Sequence, residues 1–307
     1  MASNLETETV INALSPMVYW KMNETSGTTL AQSGSSTAAA LTLYGTYTLA
    51  NDELIAGDAA RFIRFGTDGW GFGTKGDIAT PVQETSVSFL MKINADFLGY
   101  DVAPYVFTLG TTGETSATNV QTSMRFLNTN RAISTFYETG SGGDREQNYG
   151  LIDPNNFYSS NTVYHIAITR GPDELIPTTI KEKIYVNGIF KAIGERGYPS
   201  GGGSAKFYVN TIWDNRVGFD ISLGHFAIWD RVLTREEVYS ISEASGYNTY
   251  ASTLAEPDPT NNTYWGTYNT IQSNLKQDVT KLLSIPLDPL VDQTIINPED
   301  SYETTQY

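Results

Sequence analysis

Leu223-Gly224-His225-Phe226-Ala227-Ile228-Trp229-Asp230-Arg231-Val232-Leu233-Thr234-Arg235-Glu236-Glu237-Val238 is the stretch that decides the fold class of this chain. Its first half reads as a strand, in which Phe226 and Ile228 share one face because side chains alternate across a pleated strand. Its second half starts a short helix. Thr234 and Glu237 stand three residues apart, the spacing of a capping box in which each side chain satisfies the other residue's backbone N–H. Val238 and Ile241 give that helix an apolar side, and Gly246 can end it. A closing strand followed by a small capped helix is what a sheet sealed at one end requires.

Working outward, the same strand grammar recurs along the chain. Candidate strands are 18–22, 41–49, 61–65, 86–93, 105–109, 124–127, 133–137, 163–169, 183–186 and 206–209, together with 225–229 in the opening stretch. Val87-Ser88-Phe89-Leu90-Met91 and His165-Ile166-Ala167-Ile168-Thr169 alternate clearly, and Asn187-Gly188 is a hairpin turn signal. Residues 9–14 predict a short helical turn before Pro16. Composition agrees with many short strands: 38 Thr and 19 Tyr suit pleated surfaces, and 27 Gly supply turns. An all-β antiparallel sandwich, a jelly roll with a short capping helix, is the expected fold.

Three stretches, in this order, resemble the laminin-G-like branch of the concanavalin A-like lectin/glucanase superfamily. They are Ser15-Pro16-Met17-Val18-Tyr19-Trp20-Lys21-Met22-Asn23-Glu24-Thr25-Ser26-Gly27, then His165–Arg170 with Ile184-Tyr185-Val186-Asn187-Gly188, then the opening stretch above. The first is similar to the family's opening strand and its turn, the second to its central hairpin, the third to its closing strand and helix. The resemblance covers roughly residues 9–246. It implies a scaffold for recognising a glycan or a protein surface. A scaffold does not by itself name an activity.

Catalysis is not expected. Retaining glycoside hydrolysis needs two carboxylates about 5–5.5 Å apart, and on one strand that would read Glu-x-Asp-x-x-Glu, a pattern this chain lacks. Asp173-Glu174 lies in a loop and Glu236-Glu237 in a helix cap. His165 and His225 each sit in a predicted strand, where packing is the ordinary role. Glycine clusters at 140–143 and 201–203 lack the lysine and helix of a phosphate loop. No cofactor is expected. Calcium, which the resemblance raises, would need loop acids such as Asp68, Asp214 and Asp220, and no local ligand array joins them.

A net charge of −15 repels phosphate backbones, so neither nucleic acid nor an anionic membrane is expected as a partner. With no cysteine there is no disulfide framework and no thiolate metal site. Sugar binding uses exposed aromatic faces, which singles out Trp70 in Asp68-Gly69-Trp70-Gly71-Phe72-Gly73, and after it Trp213. The alternative for each is a ring that caps the core from a loop.

The chain divides into a lead segment 1–14, a sandwich 15–250 and a tail 251–307. Glu256-Pro257-Asp258-Pro259 reads as a stiff linker. Ile271, Leu275, Val279 and Leu282 then fall at helical spacing up to Pro286. Beyond it runs an acidic arm that still carries Leu287 and Leu290. Those six apolar residues are expected to serve assembly, either on a neighbouring subunit or folded back on the chain's own domain.

Low charge, absent cysteine, no classical secretion signal and such an arm together suggest a bacteriophage virion protein, assembled in the host cytoplasm. It would be a homo-oligomeric fibre, neck appendage or capsid decoration subunit that binds other virion proteins or copies of itself and adheres to host-surface glycans. An extracellular or cell-surface carbohydrate-binding adhesion module, and a purely structural virion subunit without sugar binding, remain the alternatives.

Overall fold

The computed structural model describes residues 2–37, 40–74, 84–95, 104–110, 120–126, 133–136, 160–172, 179–197, 206–211 and 218–247. Two compact units are separated between Leu254 and Ala255, and all described residues belong to the first. In chain order the elements are α1 (Asn4–Ala13), β1 (Val18–Trp20), β2 (Thr29–Leu30), β3 (Leu41–Tyr44), β4 (Tyr47–Asp52), β5 (Phe62–Phe65), β6 (Trp70–Thr74), β7 (Thr85–Ile93) and β8 (Tyr105–Gly110). There follow β9 (Val120–Phe126), β10 (Ile133–Phe136), β11 (Val163–Pro172), β12 (Thr179–Val186), β13 (Ile189–Gly197), β14 (Lys206–Val209), β15 (Ile221–Trp229) and α2 (Arg235–Ala244).

The strands form two antiparallel sheets. One runs β13-β12-β11-β7-β15-β5-β4, with β1 also paired to β15; the other runs β10-β9-β8-β14-β6-β3-β2. This is the expected antiparallel β-sandwich. The segment 41–49, read as one strand, is two. The chain turns at Gly45, whose φ of 65° suits glycine, and passes from the second sheet in β3 to the first in β4. The N-terminal helix is also longer than the expected turn: Ser3 Oγ accepts from the Glu6 N–H and starts it at Asn4.

Alternation places the core between the sheets. Trp20, Phe89 and Phe226 from the first sheet meet Phe107 and Phe207 from the second. Trp20 stacks on Phe207 with ring centroids 4.8 Å apart, and Phe107 meets Phe226 edge-on at 5.4 Å. Each of these rings is fully buried, worth roughly 1.5–3 kcal/mol of transfer free energy for a Phe-sized side chain. Phe226 and Ile228 face this core as expected.

The first sheet is covered on its other face as well, which is why β7 and β15 are buried along nearly their whole length. Ala167 and Ala227 flank Ser88 in register and leave room for helices. There Ile11 of α1 and Val238 and Ile241 of α2 pack with Tyr19, Tyr185 and Trp229. The Trp229 indole N–H donates to the Leu14 carbonyl at 3.0 Å, capping the end of α1. The capping box at Thr234 and Glu237 is present as read, and Arg231 holds Glu237 through two bonds of 2.7 and 2.8 Å. Asn187 and Gly188 both have positive φ, as the hairpin turn between β12 and β13 requires.

Candidate functional site

An aromatic pair stands on the outer face of the second sheet. In β3, Leu41 and Leu43 point into the core, so Thr42 and Tyr44 point outward. β6 runs antiparallel beside it, with Tyr44 opposite Trp70 and Thr42 opposite Phe72. Trp70 and Phe72 therefore share the outer face, while Gly71 lies over Val209, Leu43 and Leu41 on the inner one. The Tyr44 and Trp70 rings stack with centroids 4.3 Å apart and planes within 15°, an arrangement worth about 0.5–1.5 kcal/mol beyond area burial. Trp70 also meets Tyr208 of β14 at 6.1 Å, and Phe72 meets Tyr208 at 5.1 Å.

Exposure rises along this row. Tyr208 is buried, Trp70 and Phe72 are half-buried, and Tyr44 is 42% exposed, one of two large apolar side chains exposed among the described residues. Tyr44 thus stacks on Trp70 and still keeps 42% of its surface exposed. Thr46, Thr67 and Asp68 are exposed on the two adjoining turns, adding hydroxyl and carboxylate groups near the pair.

The pair is held by backbone contact between those turns. A Cβ on Gly45 would lie 2.0 Å from the Asp68 carbonyl oxygen, and one on Gly69 would lie 2.0 Å from that of Thr46. The Gly66 N–H donates to the Thr46 carbonyl at 2.8 Å. Asn210, buried and at φ 59°, fastens the second turn from below. Its Nδ2 donates to the carbonyls of Gly69 at 2.8 Å and Phe219 at 2.9 Å, and its Oδ1 accepts from the Phe219 N–H at 3.2 Å. The platform is thus set on rigid strand ends, and its chemistry is a flat apolar face rimmed by hydroxyls.

Trp70 therefore sits in a strand and not in a loop, and it pairs with Tyr44, a residue the sequence reading did not single out. Nothing local marks Tyr44, because its partner arrives through non-local register. Trp213 lies outside the described residues, as do Asp214 and the six tail residues from Ile271 to Leu290.

Neither histidine lies at the platform. His165 and His225 are buried, and burial pushes both imidazoles down to about 3. No cluster of three or more metal-ligating side chains occurs among the described residues. Both carboxylate oxygens of Asp220 are occupied by Arg64 at 2.8 and 2.7 Å, and Asn94 adds a third bond. The guanidinium holds this carboxyl below its usual range despite partial burial. Asp220 thus does not fit calcium.

No family model matches the chain, and no curated protein matches it in sequence. Solved structures do match in fold. A botulinum neurotoxin type C structure, whose description makes cell entry dependent upon interaction with two ganglioside molecules, is 14% identical with a TM-score of 0.55, covering 78% of this chain and 53% of that one. The binding domain of botulinum neurotoxin DC in complex with SialylT is 13% identical with a TM-score of 0.54, over 75% and 52% of the two chains. The same domain in complex with rat synaptotagmin II is 13% identical with a TM-score of 0.53, over 76% and 52%. The chain spans about half the length of the solved chains it matches. The likeness is one of fold.

Proposed function

We propose that this domain is a non-enzymatic adhesion module that binds a surface glycan, with the Tyr44–Trp70 pair as the sugar-stacking platform. The observation that carries this reading is a stacked pair, half in water, fixed by two touching turns on the face of a lectin-type sandwich. An exposed aromatic face accepts the C–H face of a pyranose, and the hydroxyl-bearing turns beside it complement sugar hydroxyls. The glycan ligands named for structures of the same fold support the reading by analogy alone. Low charge, absent cysteine and the acidic apolar tail support a virion appendage as the setting.

Retention on a glycan array tests the platform. Tyr44→Ala removes an exposed ring, so folding should persist while retention falls at least tenfold, and Trp70→Ala should do the same with some loss of stability. If neither variant changes retention of a glycan that the unchanged protein holds, the platform is wrong. Truncation after residue 250 tests the setting, because an unchanged oligomer or assembly would remove the arm's role.

A further inference from the structure

Both histidines of the chain occupy one buried layer, between the first sheet and its helices. His225 sits where β15 changes partners. β5 pairs with Ile221–Leu223, β1 pairs with Phe226–Ile228, and the break is stitched by the His225 N–H donating to the Lys21 carbonyl at 3.0 Å. Its Nδ1 shares a 2.7 Å hydrogen bond with the buried Tyr19 hydroxyl, while Nε2 has no partner among the described residues. His165 Nε2 shares a 2.8 Å bond with Ser88 Oγ, and its Nδ1 likewise has none among them. Ser242 Oγ of α2 is a third such buried atom, packed over Gly188 beside the turn that binds the His165 backbone.

The groups facing this layer are few. β1 supplies Tyr19 and the position just after the strand supplies Lys21, which pairs with Glu8 of α1 at 2.6 Å. The segment before β5 supplies Asp58, which accepts from the Asn4 N–H at the start of α1 and from the Ala60 N–H. Phe62 of β5 lies 5.2 Å from the His225 ring. From α2 and its end come Ser242 and Ser245, the latter 3.3 Å from Thr7 Oγ1 of α1. Arg235 and Glu236 act on Tyr185. The hydrophobic cluster between the sheets contains neither histidine.

We propose that this layer is an acid-release latch: protonation of His225 and His165 lifts α1 and α2 from the first sheet and leaves the core between the sheets closed. Charging either ring inside the layer lacks a compensating anion in contact. The helices are attached through that layer, whereas the hydrophobic cluster between the sheets lies on the opposite face of the first sheet and holds neither histidine. Release would expose the apolar faces carrying Ile11, Val238 and Ile241. The latch is independent of the glycan reading.

The sign follows from proton binding. The closed imidazoles are held to about 3, whereas exposed ones titrate near ~6.5. The closed form thus gains relative stability above about pH 6.5 and loses it progressively as pH falls toward 3. In that window each histidine multiplies the open population by up to about tenfold per pH unit, and the two together by about 100-fold. Asp58, held below its usual range by the Ala60 and Asn4 amides, stays ionised through the upper part of the window.

Hydrogen exchange on the full chain, corrected for intrinsic rates, tests this from pH 7 to pH 4.5. Amides of 4–13 and 235–244 should lose at least 100-fold protection between pH 6 and pH 4.5, while those of β7 change less than threefold. His165→Gln with His225→Asn should flatten the helix profile, Asn being tolerant of the positive φ at 225. Should that double variant fail to fold, the unsubstituted chain still decides. Helix protection without a pH slope, or β7 lost in parallel with the helices, overturns the latch.

Discussion

Asn210 Nδ2 donates to the Gly69 carbonyl at 2.8 Å, and this bond ties the buried end of β14 to the turn that presents Trp70. The same side chain serves both the carbonyl and the N–H of Phe219. One buried amide therefore holds three chain segments in register beneath the aromatic pair.

Asn210→Ala should destabilise the domain by about 2–4 kcal/mol, because it leaves buried carbonyls and an N–H without partners. Asn210→Asp should be worse near neutral pH, since a carboxylate would face carbonyl oxygens in place of a donor. Urea denaturation at pH 7 checks the order. Equal stability of the two variants would contradict the role given to Nδ2.

Glycine is required where the two turns touch, and its substitution separates steric from conformational cost. Gly45→Ala and Gly69→Ala each force a Cβ to within 2.0 Å of a backbone oxygen. Gly57, also at positive φ, has open space around it, so Gly57→Ala should cost only about 1–2 kcal/mol from the left-handed backbone. The first two variants should lose more stability than the third. They should also shift the near-ultraviolet signal of the Tyr44–Trp70 stack.

At the α2 cap, Thr234→Ala should cost about 1 kcal/mol. The Arg231 bond, together with the Thr234 N–H, holds the Glu237 carboxyl below its usual range. That stabilisation is complete above the ordinary glutamate range and fades as pH falls through the lowered value. Arg231→Met should return the Glu237 titration, followed by NMR, toward the ordinary range. Because the pair is partly exposed, the stability change should stay within about 1 kcal/mol.

What could be read in the sequence was what local chemistry controls. The alternation at Phe226 and Ile228, the box at Thr234 and Glu237, and the turn at Asn187-Gly188 each satisfy needs within a few residues, and each stands in the structure as read. The run from Leu41 to Leu49 misled because its apolar spacing continues across Gly45, and spacing cannot say that the chain changes sheets there. β6 was missed because Trp-Gly-Phe-Gly has low strand propensity. Gly71 answers to Leu43 and Val209 on the two adjoining strands, not to its neighbours in sequence. The candidate platform follows the same rule: Trp70 could be chosen as an aromatic among small residues, but Tyr44 becomes its partner only through β3–β6 register.

Gly224→Ala offers a test of the tight packing beside His225. A Cβ at 224 would lie 2.5 Å from Phe62 Cδ1 and 3.0 Å from Leu54 Cδ1, both in the small apolar cluster that covers this end of the first sheet. The ring must move, and it is already constrained by His225 at 5.2 Å, so the variant should lose about 1–3 kcal/mol. Phe62→Leu alone should also destabilise, by opening space in the cluster. Combined with Gly224→Ala, the smaller side chain should accommodate the new methyl, making the double variant more stable than the sum of the single losses predicts. A thermal or urea double-mutant cycle measures that coupling, expected at 0.5 kcal/mol or more in the compensating direction, roughly the lower bound for side chains in contact. Strict additivity would mean that the backbone at the bulge, and not the Phe62 ring, takes up the strain.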